Sequence, residues 1–167
     1  MKKNRYLDII EISIIAAAYV ALTLLIQPIS YGEIQFRLSE ILMLLVFYNK
    51  KYSLSMILGC LIANLWSPYL LWDMLFGTMA TSLACFFMTN SKSLIVASIW
   101  PTVFNGLIVG AEIAILSDLP YLLCIITVGF GELVVVSILG TVIFKSLMQN
   151  KDINDLICDK NKFNKTL

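Results

Sequence analysis

Apolar runs of roughly 20 residues, broken only by short polar turns, recur along this chain and leave it one environment in which to fold, since about that many residues carry a helix across a bilayer. A soluble domain would instead space its apolar residues in amphipathic stripes. Composition agrees: of 167 residues 59% are hydrophobic and 14% charged, with a mean hydropathy of +0.86. The pattern predicts an all-α integral membrane protein, a bundle of six transmembrane helices without a separate soluble domain. The first run has no small-residue cleavage site and is followed by further runs, so it reads as a retained helix rather than a signal peptide. The net charge of +1 gives no reason to expect a nucleic-acid partner.

The spans are read at residues 9–27, 38–49, 52–66, 69–89, 93–116 and 119–148. Residues 1–148 form one substrate-binding transmembrane domain in this reading, and 149–167 a polar cytoplasmic tail. Pro28 closes the first span, while Ser67-Pro68 and the Ser117 to Pro120 stretch are turn and helix-start signals. The second segment is short. It reaches spanning length only by including Arg37 and Glu40, so it is either a tilted helix with those charges facing inward or a segment that enters part way. Lys2, Lys3, Arg5, Lys50, Lys51, Lys92, Lys145, Lys151, Lys160, Lys162 and Lys165 fall on one side of such a bundle, which leaves Arg37 alone of the 12 basic residues on the other. By the positive-inside rule the chain is a multi-pass protein of the cell membrane with both termini cytoplasmic.

The polar interruptions carry the functional signal. Tyr31 to Glu40 is charged yet lies between apolar runs, and Glu33, Arg37 and Glu40 each cost about 3 kcal/mol in hydrocarbon, so the stretch reads as the lip of a binding pocket. Glu33, Glu40, Asp73, Glu112, Asp118 and Glu132 all fall in the outer half or near mid-depth, facing one guanidinium. Glu132 lies roughly 20 Å down the last helix and Asn105 a similar distance up the fifth, so the two meet near the midplane. Asn105 and Glu112, two turns apart, share a face. An outward-opening cavity lined by these groups is the expectation. The alternative is interhelical hydrogen bonding with Arg37 and Glu40 as a structural clasp, although one arginine cannot neutralise so many acids.

Small residues mark close approaches. Gly106 and Gly110 form a GxxxG step, Gly129 and Gly131 lead up to Glu132, and Gly77 lies one turn from Asp73. Ala17 and Ala21, extended by Ser13, make a small-residue stripe on the first span that serves as a docking face, within the fold or for a partner. Trp66, Tyr69 and Trp72 read as an interfacial aromatic belt. Without histidine, histidine-based catalysis, haem ligation and most zinc sites are excluded. Cys60, Cys85, Cys124 and Cys158 lack metal-ligand spacing. No phosphate-cradling loop is present, so the chain does not itself hydrolyse ATP. Gly129-Phe-Gly-Glu132 has a glutamate where an intramembrane aspartyl protease needs aspartate. No enzyme, metal or cofactor is expected.

A small six-span chain with a cytoplasmic amino terminus, an AxxxA face and no ATPase resembles the substrate-binding S component of an energy-coupling-factor (ECF) transporter. Gly32-x-Ile-Gln-Phe-Arg-x-Ser-Glu40, Gly59-Cys-x-x-Ala-Asn64, Asn105-Gly-x-x-Val-Gly-x-Glu112 and Gly131-Glu-Leu133 resemble, in that order, the QueT family of queuosine-precursor importers. The resemblance covers roughly residues 8–148. It implies a transmembrane coupling protein and two cytoplasmic ATPases as partners, with Ala17 and Ala21 as the docking surface. The implied substrate is 7-aminomethyl-7-deazaguanine, a cationic deazapurine. Its guanine edge needs a carboxylate, its carbonyl a donor and its ammonium a second negative group. Glu132 and Asn105 are then expected at the ring and Asp73 or Glu112 at the ammonium. Glu33 to Glu40, with Gln35 and Arg37, forms the lid; Asn64 belongs to the second motif, and Trp100, Phe104 or Phe130 supply a stacking face. The competing class is an autonomous cation-coupled carrier or channel that uses the same carboxylates as an ion path.

Overall fold

A helix satisfies its own backbone where no water is available, and in the computed structural model, which describes residues 5–30 and 36–158, all regular structure is helical. The helices are α1 (Arg5–Leu25), α2 (Leu38–Tyr48), α3 (Tyr52–Trp66), α4 (Asp73–Thr89), α5 (Leu94–Ser117), α6 (Tyr121–Leu147) and, after them, the short α7 (Lys151–Ile157). One helical turn, Gln27–Ser30, follows α1. Each apolar run of the sequence holds one of the first six. Among the described residues α1, α5 and α6, with 21, 24 and 27 residues, are long and apolar enough to cross a membrane, whereas α2, α3 and α4 are apolar helices of 10–17 residues.

Packing closes a ring in the order α1, α3, α4, α5, α6, α2, and α2 also reaches α3, α4 and α5 from inside it. The shortest of the first six helices is therefore the centre of the bundle. Met43, Leu44 and Val46 have no exposed surface, and the charged Glu40 is 1% exposed. The charges of this segment face inward, as Glu40 and Arg37 are both buried. Leu38–Leu44 is a 3-10 helix and only Leu45–Tyr48 is α-helical. With a rise of about 2.0 Å per residue against 1.5 Å, the tighter helix carries the short segment further than its residue count suggests.

Glycines set the close approaches, since a Cβ at Gly110 would stand 2.8 Å from Ile125 Cα and one at Gly106 3.3 Å from Gly129 Cα. The GxxxG step thus packs α5 on α6. Gly59 likewise accommodates Tyr19 of α1, with 2.9 Å from its would-be Cβ to Tyr19 Cβ.

The two ends of the bundle are tied differently. At the end holding both described chain ends, Lys51 bridges Asp8 and Glu11 of α1, and Asn49 Nδ2 donates to Ile157 O at 3.3 Å. Burial lowers the Lys51 pKa, but the hydrogen bonds to Glu11 and Asp8 outweigh it and leave the ammonium raised. The tail sequence therefore begins with a helix, capped by Asn150 through Asp152 N at 2.9 Å. At the far end Gln27 Nε2 donates to Trp66 O at 3.2 Å. Within the stretch read as a turn and helix start, Asp118 ends α5 in the left-handed conformation with φ 55°, and Pro120 precedes α6. A rigid Pro120 fixes the entry of α6 by itself, so the reversal falls at Asp118, two residues before it.

Candidate functional site

Carboxylates from four helices converge inside the ring. Glu40 of α2, Asp73 of α4, Glu112 of α5 and Glu132 of α6 are 1–4% exposed, and Arg37 just before α2 is 5% exposed. The guanidinium is an electrostatic neighbour of all four, and Glu112 and Asp73 are neighbours of each other. Ionisable side chains buried in a membrane bundle are costly and mark a functional interior. Arg37 and Glu40 are thus in the core rather than at a lip, because α2 is the central helix. Glu33 and Gln35 of the expected lid lie outside the described residues.

Hydrogen bonds fix one side of each group. Asn105 Nδ2 donates to Glu132 Oε1 at 2.9 Å, the pairing expected from depth along α5 and α6. Asn64 Nδ2 donates to the Asp73 backbone O at 2.7 Å and so holds the start of α4. Arg37 Nε donates to Ser30 O at 3.3 Å. The other side of the cluster is open: Glu40 Oε2, Asn64 Oδ1, Asp73 Oδ1, both oxygens of Glu112 and Glu132 Oε2 are buried without a hydrogen-bond partner. Every one of these six atoms is an acceptor. An interior of this kind calls for a ligand rich in N–H groups and positive charge, since an unmet buried acceptor costs about 1–3 kcal/mol.

The backbone departs from the α-helix at the same places. Asp73–Gly77, Asn105–Val109 and Leu133–Gly140 are π-helical, so Asp73 and Asn105 open such segments and Glu132 immediately precedes one. A π turn inserts an extra residue and re-aims the side chains around it, a device concentrated at functional sites. Nothing in the composition of these segments distinguishes them from ordinary α-helix.

Two residues of the cluster are missed by sequence reasoning. Tyr19, fully buried on α1, donates its hydroxyl to Glu40 Oε1, and Thr23 Oγ1 lies 2.7 Å from Ser39 Oγ while also bonding Tyr19 O. The signal available was spacing: Ala16, Tyr19 and Thr23 stand at i, i+3 and i+7 and form the buried face of α1. The opposite face bears Ser13, Ala17 and Ala21, all exposed.

The aromatic candidates separate. Phe130 is 55% exposed and points away from the cluster, so it is no stacking partner there; α6 turns its Gly131 and Glu132 side inward instead. Trp100 and Phe104 pack with Phe87 at ring separations of 4.6 and 5.2 Å, and Trp100 Nε1 donates to Ser91 Oγ toward the terminal end. Between α4 and α5 a cavity of about 330 Å³ is lined by Trp72, Phe76 and Met79 on one side and Leu107, Ile108 and Ala111 on the other, and it reaches Glu112. No group of three or more histidine, cysteine, aspartate or glutamate residues placed to hold a metal ion occurs among the described residues.

A family model described as "QueT transporter" matches residues 9–149. The queuosine precursor transporter QueT of Lactococcus lactis subsp. cremoris (strain MG1363) is 45% identical over 84 residues, 48% of this chain and 48% of that protein, so the match spans about half of the relative's length. No solved structure matches the chain.

Proposed function

The chain belongs to the QueT transporter family and is a multi-pass membrane transporter rather than an enzyme; on that premise we propose that it is the substrate-binding S component of an ECF-type importer, taking 7-aminomethyl-7-deazaguanine from outside the cell. The observation that carries the proposal is the set of unpartnered acceptor oxygens on Glu40, Asn64, Asp73, Glu112 and Glu132 around one guanidinium. The ligand supplies what they lack. Its ring N–H and exocyclic amino group meet Glu132 beside Asn105, and its ammonium meets Asp73 or Glu112.

The exposed Ser13, Ala17 and Ala21 face of α1 supports docking onto a transmembrane coupling protein served by two ATPases, because small residues let a partner helix approach closely. The six apolar helices span the membrane with both termini inside, in keeping with the side on which the lysines collect. Calorimetric titration of the purified chain with the aminomethyl compound and with its neutral nitrile analogue tests the reading. Preferential binding of the cation is expected, since a charge-assisted hydrogen bond contributes about 1.5–3 kcal/mol. Equal affinity, or ion flux in liposomes holding the chain alone, would replace this reading with the autonomous carrier.

A further inference from the structure

The cavity between α4 and α5 has two kinds of wall, and one of them is aromatic. Trp72, just before α4, and Phe76, four residues on, stack with ring centroids 5.8 Å apart and planes 6° from parallel. Glu112 reaches the same space from α5, 4% exposed and with neither carboxylate oxygen hydrogen-bonded. Glu40, Asp73 and Glu132 do not line it. Asp73 is also anchored through its backbone by Asn64, whereas Glu112 meets the interior only through its side chain, beside Asp73 and within the field of Arg37. A volume of about 330 Å³ falls within the range of small-molecule sites, roughly 300–1,000 Å³.

We infer that this groove is a subsite for the charged end of a planar aromatic cation, with Glu112 as its counter-charge and the stacked Trp72 and Phe76 as the aromatic wall that the ammonium faces. An ammonium between a carboxylate and aromatic faces gains from both, because the face of an indole or phenyl ring attracts cations. The inference rests on the proposed substrate and narrows it: Glu112 rather than Asp73 takes the ammonium, and Trp72 belongs to the site as well as to the interfacial belt.

The test is calorimetry on the full-length chain in lipid nanodiscs with 7-aminomethyl-7-deazaguanine, the neutral nitrile analogue and benzylamine, the last as a probe independent of the deazapurine. Glu112→Gln is expected to abolish the preference for the cationic over the neutral deazapurine, a loss of tenfold or more, and to remove the benzylamine heat. Ala111→Leu, which fills the groove and keeps the carboxylate, is expected to exclude benzylamine as well. If the deazaguanine binds but both variants leave its selectivity unchanged, or if Glu112→Gln weakens both deazapurines equally, the subsite is overturned and the parent reading stands. Absence of benzylamine heat in the unaltered chain, as from a groove filled by an acyl chain, also overturns it. Benzylamine binding that depends on Glu112 in a chain that ignores deazapurines would uphold the subsite and remove the proposed substrate.

Discussion

Glu132 lies deep in α6 with one oxygen on Asn105 and the other unpartnered. Glu132→Gln keeps its shape but turns an acceptor into an amide donor facing the ligand's own donors. Affinity for the aminomethyl deazaguanine should fall by about 1–3 kcal/mol, roughly fivefold to 150-fold, in a direct titration; an unchanged value would remove Glu132 from the site. Asp118 makes the opposite case. It is exposed, sits at the carboxyl end of α5 where the helix dipole disfavours a negative charge, and holds φ 55°. Asp118→Gly should leave binding alone and raise the midpoint of thermal unfolding, corresponding to about 0.5–1 kcal/mol, because glycine takes that conformation freely. The Glu132 and Asn105 pairing was legible in the sequence because depth along two helices is simple arithmetic on rise per residue. Tyr19 was not. Which way a tyrosine points within an alanine-rich helix depends on Gly59 across the interface, a contact that only the folded chain creates.

Among elements, the α5 and α6 pair was the most predictable, because GxxxG acts through residue size alone. A Cβ at Gly110 would meet the Ile125 backbone at 2.8 Å, whereas the nearest atom to one at Gly129 is 3.8 Å away. Gly110→Ala is therefore expected to destabilise the bundle by about 1–3 kcal/mol, and Gly129→Ala to be tolerated, with melting in detergent as the measure. On α1 the two faces serve different neighbours, so replacing Ala17 or Ala21 by leucine should abolish uptake by the assembled transporter while the isolated chain still binds ligand. Loss of binding with normal assembly would place that face inside the fold. The 3-10 form of α2 and the π segments at Asp73, Asn105 and Leu133 could not be read from hydropathy. They change hydrogen-bond register without changing composition, and each lies where its helix packs on others: Leu133–Gly140 on the central helix, and Asp73–Gly77 and Asn105–Val109 on each other.

At the scale of the molecule, charge distribution and topology agree that both described chain ends lie at one end of the bundle. Cys158 is partly exposed there, whereas Cys60, Cys85 and Cys124 are buried. A membrane-impermeant maleimide should label Cys158 in inside-out vesicles and not in intact cells; the reverse pattern would invert the proposed orientation. The ring order has a further consequence. It places α3 and α4, helices of 10–17 residues, on one flank and α5 and α6, of 24 and 27 residues, on the other. At about 1.5 Å per residue the first flank is no taller than about 25 Å and the second reaches about 35–40 Å, against a hydrocarbon core of about 30 Å. No flat bilayer of uniform thickness suits both sides, so the lipid must thin beside one flank while the other leans to shorten its span, each at a fraction of a kcal/mol per ångström. Acyl-chain length then becomes a setting on how far the whole body tilts, and vesicles of graded thickness would reveal it as a graded rate of uptake.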